Sequence, residues 1–98
     1  MVIAYLRVST EKQFLENQRE EIVRFAERNG MSIDKWYTET VSGSVSSKER
    51  KLSGVLDKMR PGDSLIVTEI SRLSRTLLEI MTILNSCIKK GVILYSTK

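Results

Sequence analysis

Histidine is absent from this chain. That removes both the Ser-His-Asp arrangement for nucleophilic catalysis and the commonest metal ligand. A single cysteine, Cys87, leaves no internal disulfide framework and points to a reducing compartment, hence a cytoplasmic location. No apolar run approaches the roughly 18 residues that a membrane helix needs. The N-terminus lacks the basic segment, apolar stretch and small-residue cleavage site of a secretory signal. The five glycines stand apart at 30, 43, 54, 62 and 91. Neither G-x-x-x-x-G-K-[ST] nor G-x-G-x-x-G occurs, so the two common glycine-loop phosphate cradles are excluded. No carboxylate cluster suggests a metal site.

What is present fits one folded domain. The 98 residues are 41% hydrophobic and 29% charged, a balance of globular rather than disordered chains. A net charge of +4 is compatible with a polyanionic partner without requiring one. Residues 2–8, VIAYLRV, are rich in branched and aromatic side chains and predict a buried strand. A helix is expected from Leu15 to Arg28, on Leu15, Ile22, Phe25 and Ala26, with Gly30 as its stop. Residues 33–39 predict a second strand, 40–47 a small polar loop, and 48–60 a helix with Leu52, Val55, Leu56 and Met59 on one face.

Arg60-Pro61-Gly62-Asp63 has proline and glycine in the two central places of a type II turn. Residues 64–68, SLIVT, predict a third buried strand. The helix that follows runs to Lys90 on Leu77, Ile80, Met81, Leu84 and Ile88, with Cys87 packed in the core. Gly91 ends it, and residues 92–96 predict a fourth strand. Strands alternating with helices predict an α/β fold: a mostly parallel open sheet of about four strands with helices on both faces.

Open α/β sheets bind ligands beyond the carboxyl ends of their strands. Here the first strand ends at Arg7, Val8 and Ser9, the second leads to Ser42, Gly43 and Ser44, and the third leads to Ser71, Arg72, Leu73, Ser74 and Arg75. Any one of these is ordinarily a solvated loop residue. Their repetition at three strand ends supports a second reading. Arginine forks hold phosphate by paired charged hydrogen bonds and never lose their charge. A serine among them can attack phosphorus and split one transfer into two.

"YLRVSTEKQFLENQ", "TETVSGS", "RPGDSLIVTEISRLSR" and "GVILYS" follow one another in this order. Together they resemble the N-terminal catalytic domain of the serine recombinases, the resolvases and DNA invertases, over essentially all 98 residues. The resemblance implies a site-specific DNA recombinase: a serine attacks a DNA phosphodiester, a 5′-phosphoserine forms, strands exchange and the ends are rejoined. It implies no cofactor and no metal. By position, Ser9 matches the nucleophile, and Arg7, Arg72 and Arg75 match the catalytic arginines. Arg72 is the candidate to stabilise the leaving 3′ oxygen. Gln13, Gln18 and Ser42 match supporting or DNA-phosphate-binding residues.

Two positions depart from the family pattern. Ser71 stands where D-R-L-x-R carries an aspartate. An arginine usually follows the S-G-x segment; a gapless count puts Glu49 there, and Arg50, one step on, takes the role because a phosphate site requires positive charge. The resemblance implies DNA as partner, a homodimer and a synaptic homotetramer in the full-length enzyme, and no membrane. It also implies that residues 1–98 are a catalytic domain truncated before a long dimerisation helix and a C-terminal DNA-binding domain. The competing reading is a catalytically silent α/β module used for assembly or for binding phosphate-bearing ligands. A small phosphotransfer or hydrolase domain fits less well, lacking histidine and a glycine loop.

Overall fold

The computed structural model describes residues 1–8, 12–40, 51–74 and 76–98; of residues 12–14, 40, 51 and 72 it describes the backbone and not the side chain. The elements are β1 (Val2–Val8), α1 (Lys12–Arg28), β2 (Lys35–Thr40), α2 (Lys51–Lys58), β3 (Ser64–Val67), a 3₁₀ turn (Ile70–Arg72), α3 (Leu77–Lys90) and β4 (Ile93–Ser96). The four strands form one sheet in the order β2-β1-β3-β4, and every neighbouring pair is parallel.

The chain steps from β1 to β2 in one direction and then crosses back to β3 on the other side of β1. Parallel crossovers are right-handed, so this reversal sends the connecting helices to opposite faces. α1 covers one face, with Ile22 and Ala26 packed on Ala4, Leu6 and Ile66. Its flanks reach both edge strands. Arg19 lies over the Trp36 ring at 4.5 Å on β2, and Phe25 meets Tyr95 of β4 at 5.8 Å between ring centroids. The other face is covered by Leu52, Val55 and Leu56 of α2 and Ile83 and Cys87 of α3, which pack with Ile3, Tyr5, Leu65 and Val67. The expected fold, a parallel α/β sheet clothed on both faces, is the one observed.

Element boundaries shift where hydrogen bonds override pattern. α1 begins three residues before Leu15, at Lys12. Its first two residues, Lys12 and Gln13, are polar and lie outside the apolar period, yet lysine and glutamine are good helix formers and nothing there interrupts the helix. β2 begins at Lys35 rather than at residue 33. Asp34 closes the start of the sheet instead: its N–H donates to Val2 O at 2.8 Å and its Oδ2 accepts from Val2 N at 2.7 Å. α2 stops at Lys58, where the Leu56 carbonyl accepts from Lys90 Nζ at 2.6 Å.

The turn at residues 60–63 closes as expected, with Asp63 N donating to Arg60 O at 3.0 Å and Gly62 at φ 91°. Gly91 caps α3 at φ 74°, and a β-carbon there would lie 3.3 Å from Pro61 Cβ. Both the left-handed backbone and the close approach of that turn require glycine.

The buried face of α3 differs from the expected one. Leu77, Met81 and Ile88 are 72%, 52% and 75% exposed, whereas Ile83 and Cys87 are buried and Ile80 packs against them. This helix is apolar on two sides, and periodicity alone does not choose between them. Among the described residues no helix is long and apolar enough to cross a membrane.

Candidate active site

The strand order reverses between β1 and β3, and the crevice for a ligand in an open α/β sheet lies beyond the carboxyl ends of the strands at that point. Arg7 is the penultimate residue of β1, and Arg72 closes the 3₁₀ turn on the segment that leaves β3 after Val67. Two of the arginines singled out in the sequence thus come from neighbouring strands at the switch point.

The loop carrying Arg72 is anchored on both sides. Before it, Thr68 is buried and its carbonyl accepts from Lys98 N at 3.1 Å. After it, Leu73 is fully buried in the core beneath α2 and α3, and its N–H donates to Ile70 O at 3.0 Å. Ser74 is also buried, and its Oγ accepts from Thr76 N at 3.4 Å. Thr76 in turn caps α3, its Oγ1 accepting from Glu79 N at 3.3 Å. The backbone that presents residues 71 and 72 is therefore held by packing that has nothing to do with a ligand.

Charged groups cluster on the same edge. Ser71 Oγ donates to Glu69 Oε2 at 3.3 Å. Lys98 Nζ bridges two carboxylates, reaching Glu69 at 3.3 Å and Glu21 of α1 at 3.8 Å. This links the exit of β3 to the helix on the far face. Arg7 is half-buried, and its register partner on β2 is Glu39. Glu39 is itself buried, and Tyr5 donates to its Oε1 at 2.6 Å.

Gln18 lies on the row of α1 that faces the sheet, between Leu15 and Ile22. Its Oε1 is buried and has no hydrogen-bond partner among the described residues. Ser9, Ser42, Arg50 and Arg75 lie outside the described residues, as do the side chains of Gln13 and Arg72. Of the residues expected in the site, Arg7 and Gln18 are described in full, and Arg72 and Gln13 by backbone.

Sequence reasoning passed over Tyr5 and Glu39. Strand alternation does put Tyr5 and Arg7 on one face of β1, but the place of Glu39 beside Arg7 comes from the register of β2.

Cys87 has no part in this edge; burial pushes its thiol up, against a smaller opposing pull from Lys90. Among the described residues no group of three or more Cys, Asp or Glu side chains is arranged to hold a metal ion.

Fold and site together define a class: an open parallel α/β domain with Arg7 on one of the two strands that flank its topological switch point and the backbone of residue 72 on the loop that leaves the other. The family follows from comparison with known proteins. Residues 2–98 match the family described as "Resolvase, N terminal domain", and the chain belongs to that family. It is 32% identical over 98 residues to a resolvase of Clostridium perfringens, covering 100% of this chain and 49% of that protein. It is 45% identical over 82 residues to the transposon Tn2501 resolvase of Escherichia coli, covering 81% of this chain and 40% of that one. The serine recombinase PinR of Escherichia coli strain K12 is 34% identical over 94 residues, with 93% and 46% covered.

The chain thus spans about half the length of the curated relatives it matches. Among solved structures, the C-terminal catalytic domain of ISC1926 TnpA, an IS607-like serine recombinase, superposes with a TM-score of 0.80 at 24% identity, over 99% of this chain and 69% of that one. The N-terminal catalytic domain of TP901-1 integrase gives 0.77 at 20% identity, over 99% and 77%. At these identities the structural likeness concerns the fold.

Proposed function

We propose that this domain is the catalytic core of a site-specific DNA recombinase of the invertase and resolvase type. Ser9 Oγ attacks a DNA phosphodiester. An Oγ–P bond forms, the P–O3′ bond breaks, the serine proton is given up and the 3′ oxygen leaves as a hydroxyl. The product is a 5′-phosphoserine. After strand exchange, the free 3′ hydroxyl of the new partner attacks the same phosphorus and releases Ser9, so that bond energy is conserved throughout. Arg7, Arg72 and Arg75 neutralise the charge that builds on the non-bridging and leaving oxygens, and charge stabilisation of this kind commonly contributes most to lowering the barrier. Gln13, Gln18, Ser42 and Arg50 bind the DNA phosphates or support the residues that do.

One observation carries this reading. In a chain that belongs to the resolvase family, the two strands flanking the switch point are those that end in Arg7 and lead to Arg72. The curated relatives are about twice as long, which supports a recombinase whose remaining half supplies the dimerisation helix and a DNA-binding domain. DNA is then the partner, and a dimer that pairs into a synaptic tetramer is the working form.

The test needs no knowledge of the crossover sequence. The intact protein is incubated with genomic DNA of its source, denatured, and the covalently attached DNA recovered and sequenced. Peptide mass spectrometry locates the linkage. A 5′-nucleotide on Ser9 is expected. Absence of any adduct, or an adduct on another residue, overturns the assignment and leaves the silent α/β module as the better reading.

A further inference from the structure

The segment that carries Arg72 is packed at its ends and open to water in between. Thr68 and Leu73 are buried, whereas Ile70 and Ser71 are exposed. Polar contacts reach it from two other elements. Thr97 and Lys98 continue the ladder of β4 on β3, with Thr97 N donating to Val67 O at 3.0 Å and Lys98 N to Thr68 O at 3.1 Å. Thr97 also donates its hydroxyl hydrogen to Glu21 Oε2 of α1 at 2.5 Å. The other oxygen of that carboxylate, Oε1, lies 3.8 Å from Lys98 Nζ. Lys98 Nζ is in turn 3.3 Å from Glu69 Oε1, and Glu69 Oε2 accepts from Ser71 Oγ. Both oxygens of both carboxylates are engaged, in one unbroken chain of contacts from α1 to the residue directly before Arg72.

We infer that Glu21 and Lys98 are positioning residues for the Arg72 segment: through Glu69 and Ser71 they hold its backbone in a fixed place relative to α1, the helix that carries Gln18 one turn before Glu21. This rests on the recombinase reading above. α1 packs on one face of the sheet with Ala4, Leu6 and Ile66, while Leu73 belongs to the cluster on the other face. Groups that meet one phosphodiester from opposite faces need a link at the edge, since a misplacement of about 1 Å can cost on the order of 10²-fold in rate. Charge gives a second reason. Without the ammonium, two carboxylates would stand together on the edge that receives DNA, and each would repel phosphate. Global stability is not what the brace supplies. Lys98 is 60% exposed and each carboxylate 33%, and ion pairs so open to water add little to it.

The test follows adduct formation by the intact protein in a single turnover, at saturating duplex carrying the sequence recovered in the adduct experiment. Lys98→Met keeps a long stem and removes the charge. Its rate is expected to fall on the order of tenfold, with the urea midpoint nearly unmoved. Lys98→Arg keeps the charge and is expected to restore most of the rate. Glu69→Gln and its double variant with Lys98→Met complete a cycle. If Lys98 acts through Glu69, removing the second charge costs little more once the first is gone, whereas independent effects add.

Lys98→Met at the normal rate, a loss matched by a fall in the urea midpoint, Lys98→Arg no better than Lys98→Met, or full additivity with Glu69→Gln each overturns the inference. Should Lys98→Met fail to fold, Glu21→Gln takes its place under the same criteria. Amide hydrogen exchange of the DNA-free protein gives a readout independent of catalysis. Leu73 N–H bonds to Ile70 O within the segment, and Val92 N–H bonds to Cys87 O at the far end of α3. Exchange at Leu73 is expected to quicken on the order of tenfold in Lys98→Met while Val92 is unchanged. The same rate at Leu73 in both proteins, or an equal rise at both amides, overturns the inference. If the wild type forms no adduct at all, the recombinase reading fails, and the brace is judged on these exchange rates alone.

Discussion

Ser71 gives its hydroxyl hydrogen to the carboxylate of Glu69, Oγ to Oε2 at 3.3 Å, on the segment that leaves β3. This bears on the residue where the chain departs from its family. An aspartate directly before Arg72 would put a negative charge beside the arginine loop. Here the serine is neutral, and the charge stands two residues earlier, shared with Lys98. The carboxylate is displaced rather than lost. Ser71→Asp in the intact protein is accordingly expected to change the cleavage rate by less than about tenfold, equivalent to ~1.4 kcal/mol in barrier. Glu69→Gln is expected to cost more than Ser71→Ala. An inactive parent that Ser71→Asp switches on would contradict this and reveal a weakened site.

The arginines differ from surface arginines in what replaces them. Lysine restores the charge of Arg7, Arg72 or Arg75 but not the planar fork. Each Arg→Lys variant is expected to lose on the order of 10²–10³ in cleavage rate, with binding to the site largely kept. Ser9→Ala is expected to lose cleavage altogether, because in the proposed scheme its hydroxyl forms the bond. The same scheme assigns the neutralising charge to three guanidinium groups, so cleavage is expected to survive EDTA. Arg72→Lys at the normal rate, or activity lost in EDTA and regained with magnesium, would each count against the scheme.

Binding by residues 1–98 alone is expected to be weak and indifferent to sequence. Contacts to phosphate position a protein on DNA without reading bases, and the net charge of +4 is mild. Gel-shift affinities on unrelated duplexes should agree within a few-fold and fall steeply with added salt. A tight footprint on one sequence would mean that a base-reading element lies within these residues.

The legible parts of the sequence were those written in period and punctuation. VIAYLRV and SLIVT read as strands because β-branched and aromatic residues crowd them, and Pro61-Gly62 and Gly91 closed their turns as the dihedral rules require. Arg7 and Arg72 were legible as a pair because both sit at strand exits, and strand order turned those exits into neighbours. Glu39 was not. In one dimension it is an acid in a polar stretch; only the register of β2 against β1 puts it beside Arg7 and beneath Tyr5. Nor could α3 declare its buried side, since Leu77, Met81, Leu84 and Ile88 keep helical spacing as well as Ile80, Ile83 and Cys87 do.

Acid should release one constraint at the opposite end of the sheet. Asp63 accepts from Arg60 N at 2.9 Å and pairs with the Met1 ammonium at 3.0 Å. The Arg60 backbone hydrogen bond, then the hydrogen bond from the N-terminus, holds its carboxyl below the usual value. A carboxylate with a lowered folded-state pKa contributes stability above its unfolded pKa and loses it as pH falls through the folded one. Asp63→Asn should therefore be less stable than the wild type at neutral pH, with the gap closing in strong acid. Urea melts at both pH values check this. A gap that is the same at both would assign the effect to shape rather than charge.

The two apolar sides of α3 make the sharpest test of packing. Ile83 is 3% exposed and packs with the core beneath the sheet, whereas Leu77, six residues earlier on the same helix, is 72% exposed. By sequence the two are equivalent aliphatic residues in one amphipathic run. By packing they are opposites. Truncating a buried isoleucine removes its transfer energy and leaves a cavity, at about 2–5 kcal/mol. Truncating an exposed leucine removes little that water had not already reached, and surface changes usually fall within about 0.5 kcal/mol. Ile83→Ala is thus expected to lower the urea midpoint substantially and Leu77→Ala to leave it nearly unmoved, with equal slopes for both. The reverse order would mean that the helix is rotated about its axis, so that Leu77, Met81 and Ile88 face the sheet. Ile83 and Cys87 would then have to be on the outside, and the fully buried Leu73, which packs in the same cluster, would lose its partners. The loop that carries Arg72 ends on Leu73, so the same measurement tests whether that loop is anchored at all.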